Sequence, residues 1–254
     1  MAGPEPLTAQ VVLITGAASD IGKATALAFA RAGFDVVVNG HRNREPLDAL
    51  ASSLQAAGAP QTLVQLADVR HRIQVAAMLD AIFTRFGRLD VLVNNAGLNR
   101  DRPFLQLSDE DWGAVVSTVL AGTFLCSQEF ARRYQGQDGR ILNIGSTTAY
   151  KGRKDGANYC SARAGVLALS KCMALELAPA IRVNVVTPGR IDTREVRARY
   201  GLNTEEDRAR FSRDVPLGRM GKPEEVAAMI LFLALQGSYI TGQNFFVDGG
   251  VYMR

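Results

Sequence analysis

Short apolar, β-branched segments alternate with longer segments of helical apolar spacing along most of the chain. Segments 11–15 and 91–94 are almost continuously apolar, which is typical of strands buried on both faces. Consecutive parallel strands need crossover helices, so the pattern predicts a doubly wound α/β domain of about seven strands, spanning residues 1–254. The other predicted strands are 35–39, 62–67, 140–144, 182–187 and 244–247, and the predicted helices are 21–32, 45–57, 73–86, 109–133 and 158–178.

Residues 192–220 interrupt this alternation, because they are polar and rich in arginine. Ligands of open α/β sheets bind beyond the carboxyl ends of the strands, so an insertion there is a candidate substrate lid. Its side chains Val196, Tyr200, Leu202 and Phe211, together with the arginines, would suit a substrate with an apolar body and an anionic end. A solvated helical face is the alternative interpretation.

Composition and charge argue against a nucleic-acid-binding protein, a metalloprotein and a membrane protein. Of the 254 residues 47% are hydrophobic, which is enough for a sizeable core. The net charge of +4 is not concentrated in a basic stripe with interleaved aromatic residues, which disfavours nucleic-acid binding. The three cysteines lack metal-ligand spacing, so we predict reduced thiols and no metal site. Residues 1–10 lack a signal-peptide pattern, and no apolar run approaches the roughly 20 residues of a membrane span, so we expect a cytoplasmic protein.

A glycine-containing turn, TGAASDIG, follows the first predicted strand at residues 15–22. Gly16 and Gly22 would let the backbone approach a pyrophosphate, and the next helix would offer unpaired N–H groups. The ends of the third and fourth strands could hold an adenine and a ribose. The candidate contacts there and in the turn are Ser19, Asp20, Ile21, Asp68, Val69, Asn95, Ala96 and Gly97.

These motifs, together with PGRIDT at 188–193, TGQ at 241–243 and VDGG at 247–250, resemble the short-chain dehydrogenase/reductase family. The resemblance extends from about residue 11 to residue 250 and is nearest the 3-oxoacyl thioester reductase branch. It implies a nicotinamide dinucleotide cofactor and a homo-oligomer, either a tetramer or a dimer. It also implies cofactor contacts from Tyr159, Arg163, Pro188, Gly189, Ile191 and Thr193.

The resemblance further implies a catalytic set. In the family a serine at the end of the fifth strand precedes a catalytic tyrosine, and a lysine follows that tyrosine four positions later. Ser146 and Tyr159 match this pattern, whereas Arg163 stands in place of the lysine and Val119 in place of a catalytic asparagine. A carbonyl that receives a hydride develops negative charge on its oxygen, which Ser146 could hydrogen-bond and Tyr159 could protonate.

The two departures predict slow turnover. A cation about 4 Å from a phenolate stabilises it by on the order of 4 kcal/mol at an effective dielectric constant of 20, and Arg163 stays charged. Val119, however, cannot anchor a water for proton relay. Tyr150 and Lys154 show the same four-residue interval, but Gly152 and the closeness of Ser146 predict a loop there, without a catalytic role.

Two further features concern the cofactor. Asp20 occupies a position where the family usually has glycine; we expect it to cap the first helix and to repel a pyrophosphate. The second strand ends without a carboxylate, and Arg42, with His41, is suited to a 2′-phosphate. NADP(H) is therefore favoured over NAD(H), although Arg42 on a solvated loop is the alternative.

The sequence thus predicts an NADP(H)-dependent oxidoreductase acting on a small carbonyl or secondary alcohol substrate. Asp20, Val119 and Arg163 also support an alternative, a catalytically impaired dinucleotide-binding protein with a regulatory or scaffold role. A non-redox isomerase or dehydratase that uses Tyr159 as its acid–base group is a third possibility. Cofactor binding without turnover would favour the second, and product formation without cofactor consumption the third.

Overall fold

The computed structural model describes residues 9–253, and its seven strands form one parallel sheet in the order β3-β2-β1-β4-β5-β6-β7. This order confirms the predicted doubly wound fold. The strands are β1 (Val11–Ile14), β2 (Asp35–Gly40), β3 (Thr62–Leu66), β4 (Val91–Asn94), β5 (Gly139–Ile144), β6 (Ile181–Pro188) and β7 (Asn244–Val247). The order reverses between β1 and β4, which creates a crevice at the carboxyl ends of these strands.

Helices cover both faces of the sheet. Along β1, Val12 and Ile14 belong to one buried cluster, whereas Val11 and Leu13 belong to the cluster on the other face. The period of two residues places successive side chains on opposite faces, which explains why the strands are apolar throughout. The helices are α1 (Asp20–Arg31), α2 (Glu45–Ala56), α3 (Arg72–Phe86), α4 (Asp109–Val116), α5 (Gly122–Arg133), α6 (Thr148–Lys151), α7 (Ala157–Leu177), α8 (Arg194–Tyr200), α9 (Glu205–Phe211) and α10 (Pro223–Leu235).

The predicted helix over 109–133 is a continuous helical run divided by a π-helical turn, Ser117–Ala121, between α4 and α5. Among the described residues this run alone is long and apolar enough to cross a membrane. Its buried side chains, which include Val115, Val119 and Phe130, pack in the interior of the molecule, as those of a core helix do.

Segment 192–220 contains the two short helices α8 and α9. Thr193 caps α8, since its hydroxyl accepts a hydrogen bond from the Val196 amide at 3.2 Å. The ring centroids of Tyr200 and Phe211 are 4.7 Å apart, and Leu202 of the same segment is buried. The expectation of no signal peptide concerns residues 1–10, of which 1–8 lie outside the described residues.

Candidate active site

The turn after β1 is shaped by two glycines that have no room for a side chain. Gly16 has φ +61°, and a Cβ there would lie 2.8 Å from Ala96 Cα. A Cβ on Gly22 would lie 2.7 Å from the Gly16 carbonyl oxygen. Both positions therefore require glycine, because either side chain would close the approach between the β1 turn, the start of α1 and the end of β4.

Asn95 fixes this turn to the end of β4. Its Nδ2 donates hydrogen bonds to the carbonyl oxygens of Thr15 and Gly16, both at 2.9 Å, and to Ser19 Oγ at 3.0 Å. The turn is therefore held in shape by the protein itself, with the N-terminus of α1 directed towards the crevice.

The prediction that Asp20 caps α1 is wrong. The cap is Ser19, whose Oγ accepts a hydrogen bond from the Gly22 amide at 3.1 Å, and Asp20 is already the first helical residue. The Asp20 carboxylate instead accepts from Arg194, at 2.8 Å from Nε and 2.6 Å from the backbone nitrogen. The charge at the turn is thus paired with the first residue of α8.

A cavity of about 300 Å³ lies beyond the ends of β2 and β3. The predicted residues that line it are Gly16, His41, Arg42, Asp68, Val69, Ala96 and Gly97. Arg42 Nε lies 3.3 Å from His41 Nε2, and Arg42 is exposed to solvent. Cationic side chains therefore border the end of the crevice where the sequence predicts a 2′-phosphate.

Asp68 is engaged by the Arg70 guanidinium and lies beside the His41 imidazole. Arg70 donates from Nη2 to Oδ2 at 2.6 Å and from Nε to both oxygens, and His41 Nε2 lies 3.0 Å from Oδ2. The hydrogen bond from Arg70 lowers the pKa of Asp68 to about 2. Sequence reasoning missed Arg70, because a cation two positions after an aspartate carries no recognisable pattern.

A second cavity, of about 460 Å³, borders the first at Gly16 and Gly97. Of the candidate contacts, only Gly22, beneath the turn, lines neither cavity. The predicted residues brought together in the second cavity are Gly16, Ser19, Asp20, Ile21, Asn95, Gly97, Ser146, Tyr159, Arg163, Pro188, Gly189, Ile191 and Thr193.

Arg163 lies between the ends of β4 and β5. Its side chain is buried, and Nη1 donates to the Ile144 carbonyl oxygen at 2.5 Å. Its Cζ is 5.2 Å from the centroid of the Tyr159 ring, one helical turn earlier on α7. Gly97 leaves the space that the guanidinium occupies, since a Cβ there would be 2.8 Å from Arg163 Nη2.

Ser146 and Tyr159 face the same cavity. Ser146 Oγ is 2.9 Å from Thr148 Oγ1. Tyr150 lies elsewhere: its hydroxyl accepts from Asn244 Nδ2 at 2.6 Å, and its ring stacks on Tyr252. The loop predicted over 150–154 begins with the last residues of α6, a single helical turn, and is irregular only after residue 151.

Val119 is fully buried in the π-helical turn, in a small apolar cluster with Val115, Ala162 and Val166. Tyr159 packs against this cluster. The side of Tyr159 that faces α4 is therefore apolar.

Within residues 9–253, no group of three His, Cys, Asp or Glu side chains is arranged to hold a metal ion.

The sheet order and the elongated crevice at the switch point define a doubly wound α/β protein of the architecture common among dinucleotide-dependent enzymes. More specifically, the chain belongs to the short-chain dehydrogenase/reductase family of oxidoreductases. A family model described as enoyl-(acyl carrier protein) reductase matches residues 16–252.

Several relatives resemble the chain over nearly its whole length. It is 43% identical to a 3-oxoacyl-[acyl-carrier-protein] reductase of a Synechocystis species over 251 residues, 97% of this chain and 98% of the relative. A short-chain glucose/ribitol dehydrogenase structure from Brucella melitensis matches with a TM-score of 0.89, 32% identity and coverage of 96% and 97%. An actinorhodin polyketide ketoreductase structure with NADPH matches with a TM-score of 0.88, 35% identity and the same coverage.

Proposed function

We propose that the protein is an NADP(H)-dependent reductase that transfers a hydride between the cofactor and a carbonyl or secondary alcohol of a small-molecule substrate. The observation that carries this proposal is the convergence of Ser146, Tyr159 and Arg163 on one cavity, which borders the cavity at the glycine turn. A scaffold protein would not need a hydroxyl, a phenol and a cation at this end of the crevice.

The residues present fit a dinucleotide. Gly16 and Gly22 leave the β1 turn open, and a Cβ on Gly189 would lie 2.5 Å from Asp248 Cβ. The N-terminus of α1 would hold the pyrophosphate, and His41 and Arg42 would hold a 2′-phosphate. Residues 188–193 would hold the nicotinamide end, through the contacts of Pro188, Gly189, Ile191 and Thr193.

When bound, the nicotinamide would supply a hydride to the carbonyl carbon or, in the reverse direction, accept one from the carbon that bears the alcohol. Ser146 donates a hydrogen bond to the carbonyl oxygen, and Tyr159 transfers its phenolic proton to that oxygen, which completes the alcohol. The Arg163 guanidinium stabilises the phenolate that remains. Because Val119 offers no polar group, the phenol must regain its proton from bulk water, and we expect slow turnover.

A 3-oxoacyl thioester is the substrate class to test first. One relative is named for reducing 3-oxoacyl-[acyl-carrier-protein], and a structural neighbour is a polyketide ketoreductase. The experiment follows NADPH oxidation with acetoacetyl thioesters and a panel of simple ketones, with product analysis in parallel. NADPH binding without oxidation would favour a regulatory role, and conversion without cofactor consumption would favour an isomerase or dehydratase.

We also propose that residues 1–254 form one domain in which segment 192–220 is the substrate lid, and that the chain assembles as a cytoplasmic homotetramer or homodimer. Val196, Tyr200 and Phe211 of this segment border a cavity next to Ser146 and Tyr159. Assembly would use the face of α5 and α7, where Phe124 and Leu175 are exposed, whereas Phe130 is buried in the core.

Cofactor preference can be tested at Arg42. Replacing Arg42 with alanine is expected to raise Kd for NADPH about fivefold, because an exposed charge-assisted contact to the 2′-phosphate is lost. Kd for NADH is expected to change little, since NADH lacks that phosphate. Both Kd values are measured by fluorescence titration of the parent and the variant.

Arg44→Ala is the matched control, because Arg44 lies on the same surface but pairs with Asp48 at 3.2 Å. An equal loss of affinity for both cofactors in Arg42→Ala, or a similar NADPH effect in Arg44→Ala, would contradict NADP(H) selection by Arg42.

The pairing of Asp20 with Arg194 predicts non-additive effects on cofactor binding. Arg194→Gln is expected to weaken NADPH binding about fivefold, because it leaves the Asp20 carboxylate unpaired beside the pyrophosphate site. Asp20→Asn is expected to strengthen binding, and the double variant is expected to bind like Asp20→Asn alone, because Arg194 then has no carboxylate to offset. A double-mutant cycle of Kd values measures the coupling.

Independent, additive changes in that cycle would mean that Arg194 does not offset the charge of Asp20. In that case Asp20→Gly alone is expected to bind the dinucleotide more tightly than the parent, as simple repulsion by Asp20 requires.

A further inference from the structure

A second guanidinium lies beside the Tyr159 ring, and it comes from outside the helix that carries Tyr159. Arg153 is in the turn between α6 and α7, and its Cζ is 5.2 Å from the Tyr159 ring centroid, the same distance as Cζ of Arg163. Cations within about 6 Å of an aromatic centroid are attracted to the ring. We propose that Arg153 is a positioning residue that holds this ring and favours the ionised phenol. The inference rests on the proposed role of Tyr159 as proton donor.

Several contacts fix Arg153 in place. Its Nη2 donates to Asp101 Oδ1 at 2.6 Å and lies 3.3 Å from Asn99 Oδ1, in the segment that follows β4. A Cβ on Gly156 would lie 2.8 Å from Arg153 Nε, so the glycine leaves room for the side chain. The side chain is only 16% exposed. Arg153 therefore cannot swing away from the ring without breaking its hydrogen bonds to Asp101 and Asn99.

The guanidinium keeps its charge in this setting. Burial opposes that charge, but Asp101 and the phenols of Tyr200 and Tyr159 together raise the pKa of Arg153 above its ordinary value. The electrostatic attraction between Arg153 and the ionised Tyr159 side chain is mutual. If the phenolate favours the charged guanidinium, the guanidinium favours the phenolate to the same extent.

The other charged groups around Tyr159 are less able to act on it. On the α4 side the ring packs against the apolar cluster of Val115, Val119, Ala162 and Val166. Lys151 and Tyr200 border the adjoining cavity, which Ser146 and Tyr159 also line, but among the described residues only Arg153 and Arg163 place a cation against the Tyr159 ring. The remaining charged groups that border the two cavities are ion-paired: Asp20 with Arg194, Glu195 with Arg199, and Arg190 with Asp214. Arg153 and Arg163 are thus the two cations whose guanidinium groups contact the ring.

Removal of Arg153 and removal of its partner Asp101 have opposite expected effects. Arg153→Gln deletes the cation, so the pH midpoint for ionisation of the Tyr159 phenol is expected to rise by about one unit. The ionised fraction at neutral pH then falls about tenfold. Asp101→Asn deletes the carboxylate that balances Arg153, so the midpoint is expected to fall. A residue that merely tethered loops would not give opposite signs.

The test is a tyrosinate difference-absorbance titration of the full chain with NADP⁺ bound, in which each variant is compared with the same variant carrying Tyr159→Phe. Arg153→Lys keeps the charge and is expected to stay within about 0.5 units of the parent. An unchanged midpoint in Arg153→Gln, or shifts of the same sign in Arg153→Gln and Asp101→Asn, would overturn the proposal. If Arg153→Gln does not fold, Asp101→Asn decides alone, and a midpoint that fails to fall contradicts the inference.

The pH profile of kcat is recorded for the same variants. The pH at which kcat changes as the Tyr159 phenol ionises is expected to move with the absorbance midpoint. If no ketone is reduced by any variant while the absorbance midpoints shift as stated, the proposed function fails and the assignment of Arg153 stands.

Discussion

Replacing Tyr159 with phenylalanine is expected to lower kcat for ketone reduction by about 10²–10⁴-fold. The substitution removes only the hydroxyl that donates the proton. The ring that contacts the guanidinium groups of Arg153 and Arg163 is kept, so the cavity should keep its shape. Kd for NADPH is therefore expected to change less than about threefold. Steady-state kinetics give kcat, and a cofactor titration on the same preparation gives Kd for NADPH.

Tyr150→Phe provides a matched control, because Tyr150 lies in the same stretch of chain but outside the two cavities. Its hydroxyl accepts a hydrogen bond from Asn244, so its loss should cost about 1 kcal/mol of unfolding free energy and leave kcat within about twofold of the parent. A fully active Tyr159→Phe, or a larger loss of kcat in Tyr150→Phe, would rule out the proposed proton donor.

The fold was largely predictable because it depends on short-range patterns. Buried parallel strands must be apolar on both faces, so the segments around Val12 and Leu92 are recognisable from residue type alone. Glycines at 16 and 22 were recognisable for a similar reason: the close approach of three backbone segments leaves no room for a side chain. Such constraints act on each residue separately.

The site was less predictable where its chemistry depends on pairs of side chains from distant segments. Asp20 and Arg194 are 174 positions apart, and no local pattern shows that the carboxylate would meet α8. The sequence places the cap of α1 one residue too late, because serine and aspartate are both good capping residues. In the structure the Ser19 hydroxyl accepts from the Gly22 amide and from Asn95 Nδ2, a residue distant in sequence, and this contact favours Ser19 as the cap. Arg153 was missed for the same reason, since its approach to Tyr159 depends on a turn.

Substituting Arg163→Lys and Val119→Asn together is expected to raise kcat by between about 10- and 100-fold. The parent must reprotonate Tyr159 directly from bulk water, because Arg163 is poorly suited to pass on a proton and Val119 is apolar. Its kcat is expected to lie below about 1 s⁻¹, the lower end of the usual range for enzymes. A lysine and an asparagine would restore an ammonium group and a polar anchor for water on the α4 side of Tyr159.

The two changes are expected to depend on each other. Val119→Asn alone places an amide in the apolar cluster of Val115, Ala162 and Val166, at a cost of about 1–3 kcal/mol. Arg163→Lys alone gives up the contact of Nη1 with the Ile144 carbonyl oxygen. A double-mutant cycle of kcat and unfolding free energy measures this coupling.

Val115→Asn combined with Arg163→Lys is the control that separates a restored relay from a general loosening of the cluster. Val115 is buried in the same cluster, one helical turn earlier, so the substitution carries a similar desolvation cost. It is expected to destabilise the protein without raising kcat, because its amide does not occupy the position at Val119. If the parent reduces ketones as fast as an ordinary reductase and the Val119 double variant is no faster, then Arg163 supports proton return without help, and the apolar wall beside Tyr159 does not limit the reaction.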